Sequence, residues 1–560
     1  MLRTSFVAVV VSLILAPAVS ASEAERGIFE SPIPPTGESE IDRLVFAKLS
    51  ALGIEPALCS DAVFVRRAYL DVIGTLPTAD EARRFIQDQD TKNKRRELID
   101  RLLERHEFAD YWAMKWGDIL RIKAEFPINL WPNAAQAYHR WVRASIAENK
   151  PYDQFVREML TSSGSNFRVG PVNFYRAVQN RTPEGIAGAV ALTFMGARID
   201  SWPPERVAGM AAFFSQIGYK PTSEWKEENV FWDPLGFVAV PGNTAPGRDA
   251  IGVEKPAVEG QPPASVLPSA SPPRSAMLPD GIKIELPADR DPREVFAEWL
   301  IRPENPWFTR NIANRVWAWL VGRGIIHEPD DIRDDNPPSN PELLAYLKKE
   351  LVASRYDLKH LYRLILNSET YQLSSIPHAD KPEAEANFAS YPLRRLEAEV
   401  LIDAINAITG DTELYTSAIP EPFTYIPRDQ PAIALADGSI TSPFLALFGR
   451  SARATGMENE RDNKPVPAQW LYLLNSSQNQ RKLEQGRNLA ALFSSRGKPS
   501  EIVEELYLTI LSRQPTADEM RMALEHVGSG GTGRGTAKRR EEWVDLAWAL
   551  INSTEFLYRH

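Results

Sequence analysis

Apolar positions recur along most of this chain at the three-and-four spacing of helices that bury one face. Ile41, Leu44, Val45, Leu49 and Leu52 set the rhythm and Gly53 stops it. Thr78 with Glu81 makes a capping-box pattern ahead of "ARRFI", and amphipathic stretches follow at 94–103, 109–122, 134–147 and 153–160. The rhythm resumes after residue 292, at 309–320, 341–351, 358–366, 394–408 before Gly410, 467–474, 501–511 and 541–551. Strand signals are sparse: "GFVAV" at 236–240 and "IKIEL" at 282–286 are the best. Between them Pro241 to Arg290 holds ten prolines and little periodicity. The pattern predicts a mainly α protein with an N-terminal helical domain over 38–235, a Pro-rich linker with short β-strands over 236–290, and a C-terminal helical domain over 291–560.

Two local features interrupt this reading. "LPTADEARRFI" at 76–86 returns as "QPTADEMRMAL" at 514–524. A Pro, a Thr cap and a Glu three residues on suit the first turn of any helix, so shared capping chemistry explains the repeat better than duplication. The second is "ALTFMGARIDSWPPERVAGMAAFF" at 191–214, where one apolar helical pattern breaks at Ser201-Trp202-Pro203-Pro204 and starts again.

Composition sets the compartment more than the chemistry. With 560 residues, 43% hydrophobic and 25% charged, the chain has room for two or more cores. Arg3, the apolar run Phe6 to Ala16 and the small residues Ala18, Ser20 and Ala21 read as a secretory signal over 1–21, cleaved after Ser20 or Ala21. That run is shorter than the roughly 20 residues a membrane span needs, and a retained anchor is the alternative. The expected location is therefore exported, periplasmic or extracellular. Cys59 is the only cysteine, so no internal disulfide is expected. A formal charge of −10 argues against nucleic acid and leaves an extracytoplasmic protein or a glycan as partner.

The first helices carry a resemblance. "IDRLVFAKLSALGIEPALCSDAVFVRRAYLDVIGTLPTADEARRFIQD" and "FADYWAMKWGDILR" resemble the N-terminal half of a planctomycete-type family of exported proteins, a cytochrome-associated domain of unknown function of the DUF1549 type. "EVFAEWLIRPENPWFTRNIANRVWAWLVGRGII", "YPLRRLEAEVLIDAI" and "PAQWLYLLNS" resemble its usual C-terminal partner, of the DUF1553 type. In many relatives the segment after an F-x-G like Phe194-Met195-Gly196 carries Cys-x-x-Cys-His, which fixes a c-type haem through two thioethers. Here Arg198-Ile199-Asp200 runs straight into Ser201-Trp202-Pro203-Pro204, and Met457 stands where similar members often show a cysteine-containing version. The resemblance therefore implies a member without haem, its break a shortened loop.

Candidate chemistry is thin. The seven histidines make no H-x-x-x-H or H-E-x-x-H pair, and neither a metal nor another cofactor is expected. The acidic run from Glu328 to Asp335 lacks calcium-loop spacing and reads as a solvated loop leading to a Ser339 and Glu342 capping box. "GSGGTG" at 528–533 follows a helix rather than a strand, so it reads as a surface loop. Glu399 and Asp403 are four apart on a predicted helix, as are Arg395 and Glu399; the two carboxylates are the catalytic candidates, against a structural network as the alternative. Arg395, Arg450, Arg453, Glu458, Glu460 and Arg461 are candidate binding residues beside the apolar "FLALF" and "WLYLL". Trp112 and Trp116 share a helix face, as core or as a sugar platform. The sequence favours a non-redox binding or assembly protein using a cleft between its halves. A hydrolase of polysaccharide-type substrates is the alternative, and electron transfer comes third.

Overall fold

The computed structural model describes residues 27–236, 273–528 and 536–560. The signal at 1–21, the "GFVAV" run beyond Gly236, most of the Pro-rich stretch and most of "GSGGTG" lie outside the described residues. The architecture is mainly α, with short antiparallel strands. Among the described residues no helix is long and apolar enough to cross a membrane.

The predicted helices form with small shifts at their ends: Glu40–Ala51, Lys94–Leu103, His106–Ile119, Pro132–Ala147 and Tyr152–Thr161 in the first half, and Phe308–Val321, Pro341–Ala353, Leu358–Leu366 and Pro499–Leu511 in the second. Side-chain caps mark some of the starts, among them Ser39 ahead of Glu40 and Asp357 ahead of Leu358. Thr78 and Glu81 close the reciprocal box on Ala79–Gln87, and Thr516 and Glu519 exchange the same two bonds at the second copy of the pattern. Asn340, rather than Ser339, caps the helix at 341, because its side chain accepts the Leu343 N–H.

Both halves contribute to one continuous apolar core that runs from Ile41 to Leu557. The helix Asp61–Val72 shows why. Every residue from Val63 to Val72 is buried, so this helix must be wrapped on all sides. Its two arginines find carbonyls of the second half. Arg66 donates to Ile510 and Phe556, each at 2.8 Å, and Arg67 donates to Tyr371, Leu373 and His560 at 2.7 to 2.9 Å.

Among the described residues three small sheets trim the helices. Strands β1 (Gly164–Ser165), β2 (Ile217–Pro221) and β3 (Glu228–Trp232) pair antiparallel in the order β1-β3-β2. The hairpin β4 (Ser275–Met277) and β5 (Lys283–Glu285) includes the expected "IKIEL" strand and leans on the helix Pro204–Ala211, where Gly209 leaves room for Met277. β6 (Arg394–Arg395) pairs with β7 (Tyr558–Arg559), bringing residue 395 and the end of the chain together. The helix expected over 394–408 consequently starts only at Ala398, and Arg395 does not share a helical face with Glu399.

The break near residue 200 is a packed crossing. The helix Pro183–Val190 ends in a π turn, Ala191–Met195, and Gly196 follows at φ +62°, where Asn311, Pro329 and Ile332 fill the space a side chain would need. The Gly196 carbonyl accepts the Ile332 N–H at 2.8 Å, after which a 3₁₀ turn at Ile199–Ser201 returns the chain into Pro204–Ala211.

Candidate functional site

The expected site residues lie where the helix His106–Ile119 of the first half meets the helix Ala398–Thr409 of the second. Lys115 and Asp118 stand three apart on the former. Glu397 and Glu399 flank the start of the latter. Two charged bridges cross between them. Lys115 Nζ reaches Glu397 at 2.6 Å, and the Arg461 guanidinium joins Asp118 to Glu399, with Nε and Nη2 on Asp118 Oδ2 at 2.9 and 2.7 Å and Nη1 on Glu399 Oε2 at 2.6 Å.

Each bridge is extended by further buried arginines. Arg453 donates to the other Asp118 oxygen at 2.9 Å and to carbonyls of Ile122 and Ala436; it lies between Gly117 and Gly438, whose missing side chains make room for it. Arg450 Nε faces Glu399 at 3.2 Å as an ion pair, while its other nitrogens donate to the carbonyls of Asp437 and Ile440. Around Glu397, Arg559 closes the bridge, and Asp71 pairs with Arg559 and accepts from the hydroxyls of Tyr371 and Tyr391 at 3.0 and 2.7 Å.

These contacts set the charges. Burial alone would raise the Glu399 pKa, but Arg461 and then Arg450 outweigh it and hold the carboxyl down to about 2. Glu397 behaves alike: burial is overcome by Arg559 and Lys115, and its carboxyl stays far below the usual range. Asp403 moves the other way. Burial pushes it up to about 7, against the backbone N–H groups of Ala432 and Ile433, which bond its two oxygens at 2.8 and 3.0 Å; the charge of Glu399 adds to the rise.

The expected residues therefore divide. Glu399, Arg450, Arg453 and Arg461 join one network through Asp118, and Asp403 sits one helical turn away with its own backbone partners. Arg395 reaches no carboxylate; it donates to the carbonyls of Phe448, Asp462 and Asn463. Glu460 accepts from Ala454 and Thr455 within its own loop. Glu458 accepts from Trp319 Nε1 at 2.9 Å and lies 3.6 Å from Arg315; burial raises its pKa. The expected cleft between the halves is closed along this seam, because Asp118, Glu397, Glu399 and Arg453 are buried against one another.

Other expectations are also revised. Asp330 is not a solvated acid: it is buried, binds Arg315 at 2.7 Å and accepts the Glu458 N–H at 2.6 Å. Trp112 and Trp116 are 1% and 2% exposed and pack on Trp319, which makes them core rather than a sugar platform. Among the described residues no group of three or more His, Cys, Asp or Glu converges to hold a metal ion.

Sequence reasoning passed over Asp71, Lys115, Glu397 and Arg559. Two of them carried a signal, since Asp71 and Lys115 are charges set inside otherwise apolar helical runs, where each must find a partner once buried.

The class is that of a mainly α protein of two domains, joined by one core and a double charged bridge. Residues 40–215 match the family model PSCyt2, "Protein of unknown function (DUF1549)", and residues 292–527 match PSD1, "Protein of unknown function (DUF1553)". The chain belongs to the family of proteins that pair these two domains in this order. No curated protein and no solved structure matches it.

Proposed function

We propose that this protein is an exported, non-redox binding or assembly scaffold, with an extracytoplasmic protein or glycan as its partner. The bridge from Asp118 through Arg461 to Glu399 carries this reading. A catalytic carboxylate needs a free face toward substrate, whereas Glu399 is fully buried and both of its oxygens are held by arginine. Groups bound in this way fix two domains into one body.

The test is Glu399→Gln, assayed for unfolding and for release of reducing ends from a panel of polysaccharides. The scaffold reading expects a lower denaturant midpoint and no release of reducing ends by the native protein. Turnover by the native protein that disappears in a variant of unchanged stability would overturn it. A hydrolase finds support in Asp403, which keeps some exposure and whose pKa of about 7 suits proton transfer near neutrality. Export rests on the signal at 1–21 and predicts a mature N-terminus at Ala21 or Ser22, readable by mass spectrometry of secreted material; an intact Met1 would contradict it.

A further inference from the structure

The first half holds a concave site that the charged seam does not touch. Its floor is one face of the helix Pro132–Ala147, where Asn133, Gln136 and Arg140 follow one another at helical spacing. Its wall is the turn between β2 and β3, carrying Glu224 and Glu227, and its end is Phe167 with Arg168 after β1. The hollow encloses about 330 Å³.

The wall is rigid while the floor is chemically free. Glu227 is buried and held, its oxygens accepting from Ser165 and Thr222 hydroxyls at 2.5 and 2.7 Å. The turn is closed by the Thr222 and Glu227 N–H groups on the carbonyls of Glu227 and Glu224, each at 3.1 Å. By contrast the side chains of Asn133, Gln136, Arg140 and Glu224 make no hydrogen bond or ion pair to any described residue. At the tip of the same turn, between Glu224 and Glu227 in sequence, Trp225 is 70% exposed. Its indole offers a large, rigid apolar face to solvent.

We infer that this pocket binds a neutral saccharide, with its polar floor taking the hydroxyl groups and the ring of Phe167 in its lining, with that of Trp225 on the turn beside it, taking the sugar's C–H faces. A hydroxyl both donates and accepts, and the lining offers both: two amides, the Arg140 and Arg168 donors, the Glu224 and Glu227 acceptors. Two cations and two anions cancel, so an anionic ligand would meet the glutamates and a cationic one the arginines. An apolar ligand would leave Asn133, Gln136, Arg140 and Glu224 dry and unpaired. At about 30 Å³ per water the volume equals about eleven waters, room for one pyranose unit with water beside it.

This rests on the scaffold reading and gives it a ligand class, so the experiment separates the two. The full chain is titrated by calorimetry with neutral hexose and pentose oligosaccharides, and in parallel with sulfated and uronate oligosaccharides. The expected result is one neutral oligosaccharide bound per chain, weakened about tenfold by Trp225→Ala and by Gln136→Ala with thermal unfolding unchanged. Binding confined to the charged sugars, no binding of any neutral sugar at millimolar concentration, or binding indifferent to both variants would overturn it. Chromatography of the recovered sugar gives the other answer: cleavage would sink the scaffold reading and leave the pocket standing.

Discussion

Arg461 grips Asp118 through two nitrogens, at 2.9 and 2.7 Å, although 343 residues separate the two in sequence. The same guanidinium holds Glu399. Replacing Arg461 with Met keeps much of the volume and removes the charge, leaving two buried carboxylates short of a partner. Breaking a buried network of this kind costs about 3 to 5 kcal/mol. Urea titration followed by tryptophan fluorescence should show the loss, and a change under about 1 kcal/mol would remove the bridge from any account of how the halves are joined.

Gly117→Ala should reverse a familiar sign. In an exposed helix interior the change stabilises by about 1 kcal/mol. Here a methyl would stand 2.9 to 3.1 Å from the Arg453 guanidinium, which Asp118 and two carbonyls keep from moving aside. The variant should unfold at lower denaturant than the native chain.

Acid should loosen the seam in a defined window. The folded pKa of Glu399, about 2, lies below its ordinary value of 4.5, so its stabilisation is complete above about 4.5 and is lost as pH falls toward 2. A shift of this size is worth roughly 3 kcal/mol. Unfolding titrations should show the native protein losing stability between pH 4.5 and 2, with Glu399→Gln less stable at neutral pH and flatter across that interval.

Asp403 should act in the opposite sense. Its folded pKa of about 7 lies above the ordinary 3.8, so its contribution is full below about 3.8 and is lost as pH rises through 7. Asp403→Asn gives up an acceptor for one backbone N–H, a cost of about 1 kcal/mol at every pH. It also escapes the cost of ionisation. The variant's stability relative to the native chain should rise between about pH 4 and 7, by paired thermal melts.

Covalent haem should be absent. Thioethers need cysteines at the break near residue 200, and Cys59, the only one in the chain, is buried with its N–H on the Gln372 carbonyl. Co-expression with a haem-attachment system should give no Soret band that survives denaturation. Such a band would show that haem attaches by another route.

Local rules were enough for the helices, because amphipathic spacing and the caps at Thr78 and Thr516 act within a few residues of themselves. They also marked Glu399 and Asp403 as a carboxylate pair at helical spacing, and Arg450, Arg453 and Arg461 as a polar run beside apolar ones. What those charges do was decided by tertiary structure. Arg395 fell into a two-residue strand because its partner, Tyr558–Arg559, comes from the far end of the chain, and no helical periodicity records such a pairing. Asp118, Glu397 and Asp330 became partners of distant arginines for the same reason: a buried charge must be matched, but sequence does not say which element supplies the match. The saccharide pocket needs three segments that touch only after folding, so its lining had no linear signature, and the exposure of Trp225 exists only as a property of the folded surface.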